Sequence, residues 1–234
     1  MKEKKRVFPC ELAYVFGLLA LGFGTALSVA ADFGVSMVVA PAYLLHLKIS
    51  QYLPFFTFGM AEYTLQAVLV LVVAILMRRF KISYLFSFVT AVLYGLALDG
   101  SSLLLGVLIP EEIMSMIVLR VAFYIFGMAF ATLGVSFFFH TYISPEAYEL
   151  FVKELSARYG KDIHKFKIAY DACSCLISIV LSFIFFGLFK FEGVKVGTII
   201  SAVFNGIMIT GFSKLLDKLF IFEDKLPLRK LFDQ

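Results

Sequence analysis

Apolar residues along this chain form six long runs, which short polar or charged segments separate. A helix needs about 20 residues, each rising about 1.5 Å, to cross a hydrocarbon layer about 30 Å thick. Every run reaches this length, so the pattern predicts six membrane-spanning helices. Their predicted bounds are 11–31, 56–77, 84–108, 113–141, 168–189 and 196–220.

The amino-acid composition excludes an ordinary soluble protein. Of the 234 residues, 61% are hydrophobic, 16% are charged and 28 are Phe. Soluble domains carry about 25% charged residues. We therefore predict an all-α fold, a polytopic membrane helix bundle of six transmembrane helices. It forms a single transmembrane domain over 1–234 and ends in a short cytoplasmic tail at 221–234.

Basic residues are distributed unevenly between the segments that join the runs. Seventeen Lys and Arg residues lie in alternate segments, beginning with the N-terminal one, and only Lys48, Lys190 and Lys195 lie in the others. Because cytoplasmic segments carry an excess of Lys and Arg, both termini are expected in the cytoplasm, with the chain in a bacterial or archaeal cell (inner) membrane. The basic residues flank the runs and form no patch with interleaved aromatic residues, so we expect no nucleic-acid partner.

The first run has an alternative interpretation as a cleaved signal peptide. Charged residues precede it and the small-residue stretch SVAAD follows it, as in many such peptides. However, the apolar stretch from Leu12 is longer than a usual signal core. Its removal would also leave five spans and break the alternation of charge, so a membrane span is the favoured interpretation.

Motifs for covalent or metal chemistry are not visible in the sequence. Cys10, Cys173 and Cys175 lack the spacing of a disulfide or zinc framework. No Ser-His-Asp arrangement and no metalloprotease spacing accompanies them. We therefore expect no cofactor, no metal site and no enzymatic activity.

The second half of the chain resembles the first half. FKISYLFSFVTAVLYGLALDG aligns with FEGVKVGTIISAVFNGIMITG, so that Gly95 meets Gly206. GFGTALSV corresponds to GMAFATLGV, and FGMAEYTLQ to FKIAYDACS, in the same order. Three spans in each copy, at about 11–108 and 113–220, would make the second copy enter the membrane from the opposite side. Two inverted three-helix repeats are typical of secondary transporters, and chance similarity between apolar helices is the alternative.

Each half also contains a proline followed closely by Ala-Tyr, in APAYLL and in SPEAYEL. In the first copy, at 34–47, Ser36 is expected to cap a short helix with Pro41 in its first turn. This helix would re-enter the membrane or lie along its outer side. In the second copy, Ser144 is the expected cap and Pro145 the first residue of an amphipathic helix on the cytoplasmic surface. An alternative is that both are connecting helices without a function.

Three stretches, ALSVAADFGVSMVVAPAYLL, FTFGMAEYTLQAVLVL and VGTIISAVFNGIMITGF, resemble the YczE/YyaS/YitT family of bacterial integral membrane proteins. The resemblance covers about 11–220. Many YitT-type relatives carry a soluble C-terminal domain, and this chain is more similar to the short, membrane-only branch. The family has no settled biochemical activity, so the resemblance implies the architecture and implies no substrate.

Polar side chains inside the runs are the candidate functional groups, because a charge in the membrane costs several kcal/mol unless it is paired or hydrated. Glu62 and Arg120 lie about 9–10 Å below the outer ends of their runs, so we expect an ion pair between them. Asp99 is expected to join this pair, which leaves one negative charge for a proton, a cation or a cationic solute. The alternative is that the charges only hold helices together.

Other polar residues complete the predicted site. Asp171 is expected near His140, at the inner ends of their runs, and Asp32 lies at the outer end of the first run. The full set of predicted solute- or ion-binding residues is Glu62, Gln66, Asp99, Arg120, Asp171, Asn205, Asp32 and His140.

Together these features predict a small polytopic transporter, or a transporter-like binding protein, that moves a small polar solute or ion by alternating access of two repeats. The alternative is a non-transporting accessory or regulatory subunit that engages a cytoplasmic partner through the basic segment between Lys153 and Lys167. An intramembrane enzyme is least favoured, because no nucleophile accompanies the carboxylates. The expected partners are the lipid bilayer, a small polar solute or coupling ion and, as a further option, a second copy in a homo-oligomer.

Overall fold

The computed structural model describes residues 6–110, 116–161, 163–188, 191–227 and 229, without the side chains of 163 and 164. Within these residues the chain forms two short strands, β1 (Arg6–Pro9) and β2 (Phe220–Glu223), and eight helices. The helices are α1 (Cys10–Ala31), α2 (Ala40–Ile49), α3 (Phe58–Met77), α4 (Ile82–Leu108), α5 (Ile117–Phe138), α6 (Ala147–Tyr159), α7 (Ile163–Phe186) and α8 (Val196–Leu219).

Six of these helices, all except α2 and α6, are long and apolar enough to cross a membrane. Their bounds differ from the predicted ones by a few residues. The predicted start of the fourth span at 113, the predicted end of the fifth at 189 and most of the end of the tail, from 230 onward, lie outside the described residues. The predicted polytopic helix bundle is confirmed, and the chain is a multi-pass membrane protein.

The described N-terminal and C-terminal segments meet at one end of the bundle. β1 and β2 form a parallel pair in which Arg6 lies opposite Phe220. The Glu11 carboxylate accepts hydrogen bonds from the backbone N–H groups of Lys225 and Leu226. An even number of crossings requires this arrangement. The two-stranded sheet is an addition to the all-α prediction, because two four-residue strands leave little signal in a sequence dominated by long apolar runs.

Glycines allow α1 and α5 to cross closely at the centre of the bundle. A Cβ atom on Gly24 would overlap the backbone of Gly127 and Ala131, and one on Gly17 would contact the backbone of Gly134. Small residues are the usual means by which helices in membranes approach one another. α4 packs on the other side of α1, and α8 packs on α5, so this central pair carries a helix on each flank.

Asp99 of α4 fixes the beginning of α3. Its carboxylate accepts a hydrogen bond from the Thr57 hydroxyl at 2.6 Å and from the Gly59 N–H at 2.8 Å. The Thr57 hydroxyl in turn caps α3 by accepting from the Met60 N–H. A carboxylate is favourable at the positive end of a helix. Gly59 and Gly95 are in close contact beside it, so α3 and α4 pack tightly.

The short helix α6 does not lie on the cytoplasmic surface, and that prediction is wrong. It begins beside the middle of α3, where the Ala147 N–H donates to Gln66 Oε1 at 3.0 Å. It ends beside the end of α3, where Arg158 donates to the Leu76 carbonyl. Its apolar residues are buried against α3 and α4, so burial in protein takes the place of the expected surface position.

The beginning of α6 also differs from the prediction. The helix starts at Ala147 with Glu146 as the N-cap residue, two positions after Pro145. Ser144 does not cap it within the described structure. Its carbonyl instead accepts a hydrogen bond from Thr90 of α4 at 3.1 Å, which holds this segment in an extended approach to the helix.

The short helix α2 is arranged against α7 as α6 is against α3. It begins at Ala40, with Pro41 in the first turn as predicted. Ser36 contributes its carbonyl, which accepts from the N–H of Ala40, and is not the capping residue. Ala40 lies in a core cluster that residues from the middle of α7 pack against. Lys48, near the other end of α2, donates to the Phe185 carbonyl at the end of α7.

The flanking helices are packed unequally. α3 packs on α4, whereas α7 and α8 barely touch in the described part of the chain. Gly206 and Gly211 of α8 have open space around them, although the aligned Gly95 of α4 is in contact with Gly59. The bundle is therefore closed along α3 and α4 and open between α7 and α8.

The replacement G24A tests the central contact between α1 and α5. The added methyl group would overlap the backbone of α5, and overpacking of this kind costs about 1–3 kcal/mol. We expect a lower midpoint of thermal unfolding in detergent. G206A is the matched control, because its methyl group meets open space and alanine is the better helix former. Equal midpoints for the two variants would contradict the described helix contact.

Candidate functional site

Two polar residues on one face of α3 are the starting point of the candidate site. Glu62 and Gln66 are four positions apart, so their side chains lie one turn apart on the same side of the helix. Both side chains are 0% exposed. This face of α3 is covered by the N-terminal turn of α6, which brings two further polar residues, Glu146 and Tyr148, to the same place.

The amide group of Gln66 connects two carboxylates. Its Nε2 lies 3.4 Å from Glu62 Oε2 and 3.3 Å from Glu146 Oε2, and donates to both. Its Oε1 accepts from the backbone N–H of Ala147. The Tyr148 hydroxyl donates to Glu62 Oε2 at 2.9 Å. We call Glu62 and Glu146 the carboxylate pair.

The carboxylate pair is short of hydrogen-bond donors and of positive charge. The Oε1 atoms of Glu62 and Glu146 are buried without a hydrogen-bond partner in the described structure. No described Lys, Arg or His forms a salt bridge with either side chain. Burial, with smaller effects from the charges of Glu149 and Glu62, raises the pKa of Glu146 well above its usual range. Such a group holds a proton or needs a cation.

A second group of charges adjoins the carboxylate pair. Lys167 of α7 lies 3.4 Å from Glu149 and 3.3 Å from Asp171. Its charge also acts on Glu146, though more weakly than burial. With the carboxylate pair, this region contains four carboxylates and one ammonium group. The surplus of negative charge that the sequence predicted was expected among Glu62, Asp99 and Arg120, and these three residues do not come together.

Hydroxyl groups extend from the carboxylate pair toward α1. Tyr94, which is buried, donates its hydroxyl to Thr25 at 3.1 Å. One turn earlier on the same face of α4, the hydroxyls of Tyr14 and Thr90 lie 2.9 Å apart, and Thr90 donates to the Ser144 carbonyl. These groups surround the start of α6 with hydrogen-bonding atoms in an otherwise apolar bundle.

Glu154, on the same helix as Glu146, shows what a structural carboxylate in this protein looks like. It lies 3.1 Å from Lys81, accepts from the Tyr84 hydroxyl at 2.9 Å and lies 3.5 Å from Arg79. Burial raises its pKa, but these hydrogen bonds and charges outweigh burial and lower it below the usual range. Glu154 is fully compensated, whereas the carboxylate pair is not.

The expected ion pair between Glu62 and Arg120 is wrong. Arg120 lies 3.1 Å from Asp32, which is also 2.5 Å from Lys195. Depth along each helix suggested the pairing, but depth does not determine which way a side chain points. Asp32 takes a left-handed conformation at the end of α1, with φ of 55°, and this turn directs it to α5 and Lys195.

The other predicted site residues are dispersed. Asp99 does not join Glu62, because it is engaged by the beginning of α3. His140 contacts Asp217 of α8 at 3.2 Å and is not paired with Asp171, which contacts Lys167. Asn205 of α8 lines a cavity between α1, α5 and α8. Of the eight predicted residues, the structure gathers Glu62 and Gln66, with Asp171 in the adjoining group of charges.

Four residues of this region were missing from the predicted set, namely Glu146, Tyr148, Glu149 and Lys167. The sequence placed them on a surface helix, where charged residues need no partner. For two of them the sequence holds a signal, the repeated Pro and Ala-Tyr motif, because Tyr148 belongs to it and Glu146 lies within it. Among the described residues, no group of three or more His, Cys, Asp or Glu side chains is arranged to hold a metal ion.

The raised pKa of Glu146 predicts a pH dependence of stability. Above the ordinary pKa of a glutamate, the unfolded chain releases a proton that the folded protein keeps on Glu146. The free energy of unfolding therefore falls as the pH rises toward the raised value. In E146Q, thermal unfolding in detergent should vary less with pH over this range. E154Q is the control and should keep the wild-type slope, because the pKa of Glu154 is lowered. An unchanged slope in E146Q would contradict the assignment.

Comparison with known proteins gives a family and no function. A model of a family of unknown function, DUF6198, matches residues 8–214. No curated protein and no solved structure matches the sequence. The matched region contains α1 to α7, most of α8 and the carboxylate pair. Since it covers most of the chain, the protein belongs to the family of unknown function DUF6198.

Proposed function

We propose that this protein is a small membrane transporter that moves a small polar solute or ion by alternating access, with the carboxylate pair as the site of the coupling proton or cation. The observation that carries the proposal is the uncompensated burial of Glu62 and Glu146. An unpaired buried charge is strongly unfavourable, so proteins that need only stability rarely keep one. A group that must gain and lose a proton during a transport cycle has to avoid a permanent cationic partner.

The arrangement of helices supports two inverted repeats. In the first repeat α1 is followed by a short helix and two long ones, and α5 begins the same order in the second. Each short helix packs against the third helix of the other repeat, α2 on α7 and α6 on α3, and also against the third helix of its own repeat. In two inverted repeats, this packing would put each short helix between the repeats, where substrate and ion sites of transporters lie.

The unequal packing of the two repeats supports alternating access. α3 and α4 are closed on each other, and the aligned helices α7 and α8 are apart. A rocking cycle requires two similar repeats in different conformations, because one repeat closes as the other opens. The opposite state would bring α7 against α8 and separate α3 from α4.

The accessory-subunit alternative receives less support from the same observations. It relied on a basic helix presented to the cytoplasm, and α6 instead buries Tyr148, Leu150, Val152 and Leu155 inside the bundle. We further infer that the protein is related to the YczE/YyaS/YitT proteins, on the stretches quoted above, and that it resides in a bacterial or archaeal cell membrane with both termini cytoplasmic.

The transport proposal predicts a loss of pH dependence when either member of the carboxylate pair is neutralised. Currents on a solid-supported membrane would be recorded from proteoliposomes across a panel of small solutes, with and without a pH gradient. Wild-type protein should respond to at least one solute in a pH-dependent manner. E62Q and E146Q should lose that dependence, because neither amide can exchange a proton. E154Q is the control. No response to any solute, or an unchanged pH dependence in both variants, would contradict the proposal.

Alternating access also predicts two distances between α7 and α8. Spin labels would be placed at Ile184 and Ile199, both exposed, after replacement of the three cysteines by serine. Pulsed electron paramagnetic resonance should show a long and a short distance whose proportions change with pH. In E62Q, the proportions of the long and the short distance should not change with pH. A single distance that is independent of pH in wild-type protein would count against the cycle.

A further inference from the structure

A cavity lies beside the central helix crossing, away from the carboxylate pair. It is bordered by α1, α5, α8 and the segment that leads into α2, and its volume is about 30 Å³. Its polar lining is supplied by Thr25, Ser28, Ser36, Tyr124, Ser201 and Asn205. A smaller cavity adjoins it, shares Ser28 and is lined by Asp32 and Lys195.

All polar groups that line the main cavity are uncharged. They are hydroxyl groups, one phenol and one amide, and the remaining lining residues are Gly or apolar. A charged solute in this cavity would lack a counter-ion, and burial of an unpaired charge is strongly unfavourable. A neutral polar solute avoids this cost.

Three of the six polar side chains present acceptors to the cavity. Ser28 donates its hydroxyl hydrogen to the Gly24 carbonyl, and Ser201 donates to the Thr198 carbonyl, within their own helices. Tyr124 donates to the backbone of α8. Because these hydrogens are engaged, the oxygen lone pairs are what the side chains can offer to a solute.

Asn205 adds an acceptor that has no donor. Its Oδ1 atom is buried without a hydrogen-bond partner in the described structure. A buried acceptor in this state costs about 1–3 kcal/mol, which a donor on a bound solute would recover. With the three engaged hydroxyl groups, this acceptor favours a solute that supplies O–H or N–H groups.

The charges next to the cavity act against cationic solutes. Asp32 contacts both Arg120 and Lys195, so this group of three carries a net positive charge. A cation that approaches from the adjoining cavity meets this charge, and an anion that passes it reaches a lining of acceptors. Both effects leave a neutral donor-rich molecule as the favoured solute.

We propose that this cavity is the polar end of the solute site, and that the transported solute is a small uncharged molecule rich in hydrogen-bond donors, such as an amide or a short polyol, whose polar end the cavity holds. The inference deepens the transport function proposed above, because it names a substrate class. It rests on that function only in the claim that the bound solute is also transported. Binding to the cavity can be measured without transport.

The test compares probes of similar shape and different charge. Saturation-transfer NMR on the purified protein in detergent would be recorded with acetamide, acetate, acetamidinium and the polyol erythritol. We expect binding of acetamide and erythritol and no binding of the two ions at equal concentration. Preference for acetate or acetamidinium, or no binding of either neutral probe, would overturn the proposal.

Variants of Asn205 locate the bound probe. N205L removes the free acceptor and should weaken binding of the neutral probes about tenfold. N205D keeps the shape, adds a negative charge and should shift the preference toward acetamidinium. T210V is the matched control, since Thr210 is exposed on the same helix and bonds only to Gly206 in the described structure. Wild-type binding by both N205L and N205D would place the probes elsewhere and overturn the site.

The double variant E62Q/E146Q separates this inference from the proposed function. It should still bind acetamide, because neither carboxylate lines the cavity and the amides keep the pair neutral. One result would support the cavity and overturn the transport mechanism: the protein binds the neutral probes, N205L weakens this binding, and no pH-dependent transport is seen. The reverse result would support coupling at the carboxylate pair and overturn the cavity as its solute site.

Discussion

The bundle depends on hydrogen bonds that satisfy the backbone where two short helices begin inside it. In a bilayer, irregular backbone is tolerated only where protein or a water-filled cavity surrounds it. The start of α6 meets this requirement through Gln66, which accepts from the Ala147 N–H, and through Thr90, which donates to the Ser144 carbonyl. Before α2, the Val35 N–H donates to the Gly193 carbonyl. Without such partners, both segments would be driven to the membrane surface.

This constraint also explains where the unusual chemistry lies. Gln66 has to face the start of α6, because its Oε1 accepts from the backbone there. Its Nε2 then donates to the nearby carboxylates of Glu62 and Glu146. Glu62 is one turn away on the same face, and Glu146 is the N-cap residue of α6, where the positive helix end favours it. The helix end stabilises negative charge in part, and no described cation completes the compensation. This is the environment that the transport proposal requires of a group that gains and loses a proton.

The sequence was sufficient to predict the six long helices, because the length and the apolar residues that a membrane span requires can be counted along the chain. It was insufficient for the partners of polar residues. Arg120 reaches Asp32 because the end of α1 turns into a left-handed conformation, which no periodicity encodes. α6 has the charge pattern of a surface helix, yet Glu154 is buried with Lys81 and Arg79 around it. Glu62 and Gln66 were identified because polar groups inside an apolar run need a partner or a function. Glu146 was missed because it lies in the first turn of a predicted surface helix, where polar groups need neither.

The carboxylate pair and the cavity beside Asn205 are connected by one buried side chain. Tyr94 of α4 is close enough to Glu62 and Glu146 for their charges to act on it, and it donates its hydroxyl to Thr25, which lines the cavity. Loss of a proton from the pair places negative charge next to a buried phenol whose only described hydrogen bond runs to the cavity wall. A negative carboxylate would attract that hydroxyl hydrogen away from Thr25. If the proposals above hold, Tyr94 is the described side chain through which a change of charge at the pair would reach the cavity wall.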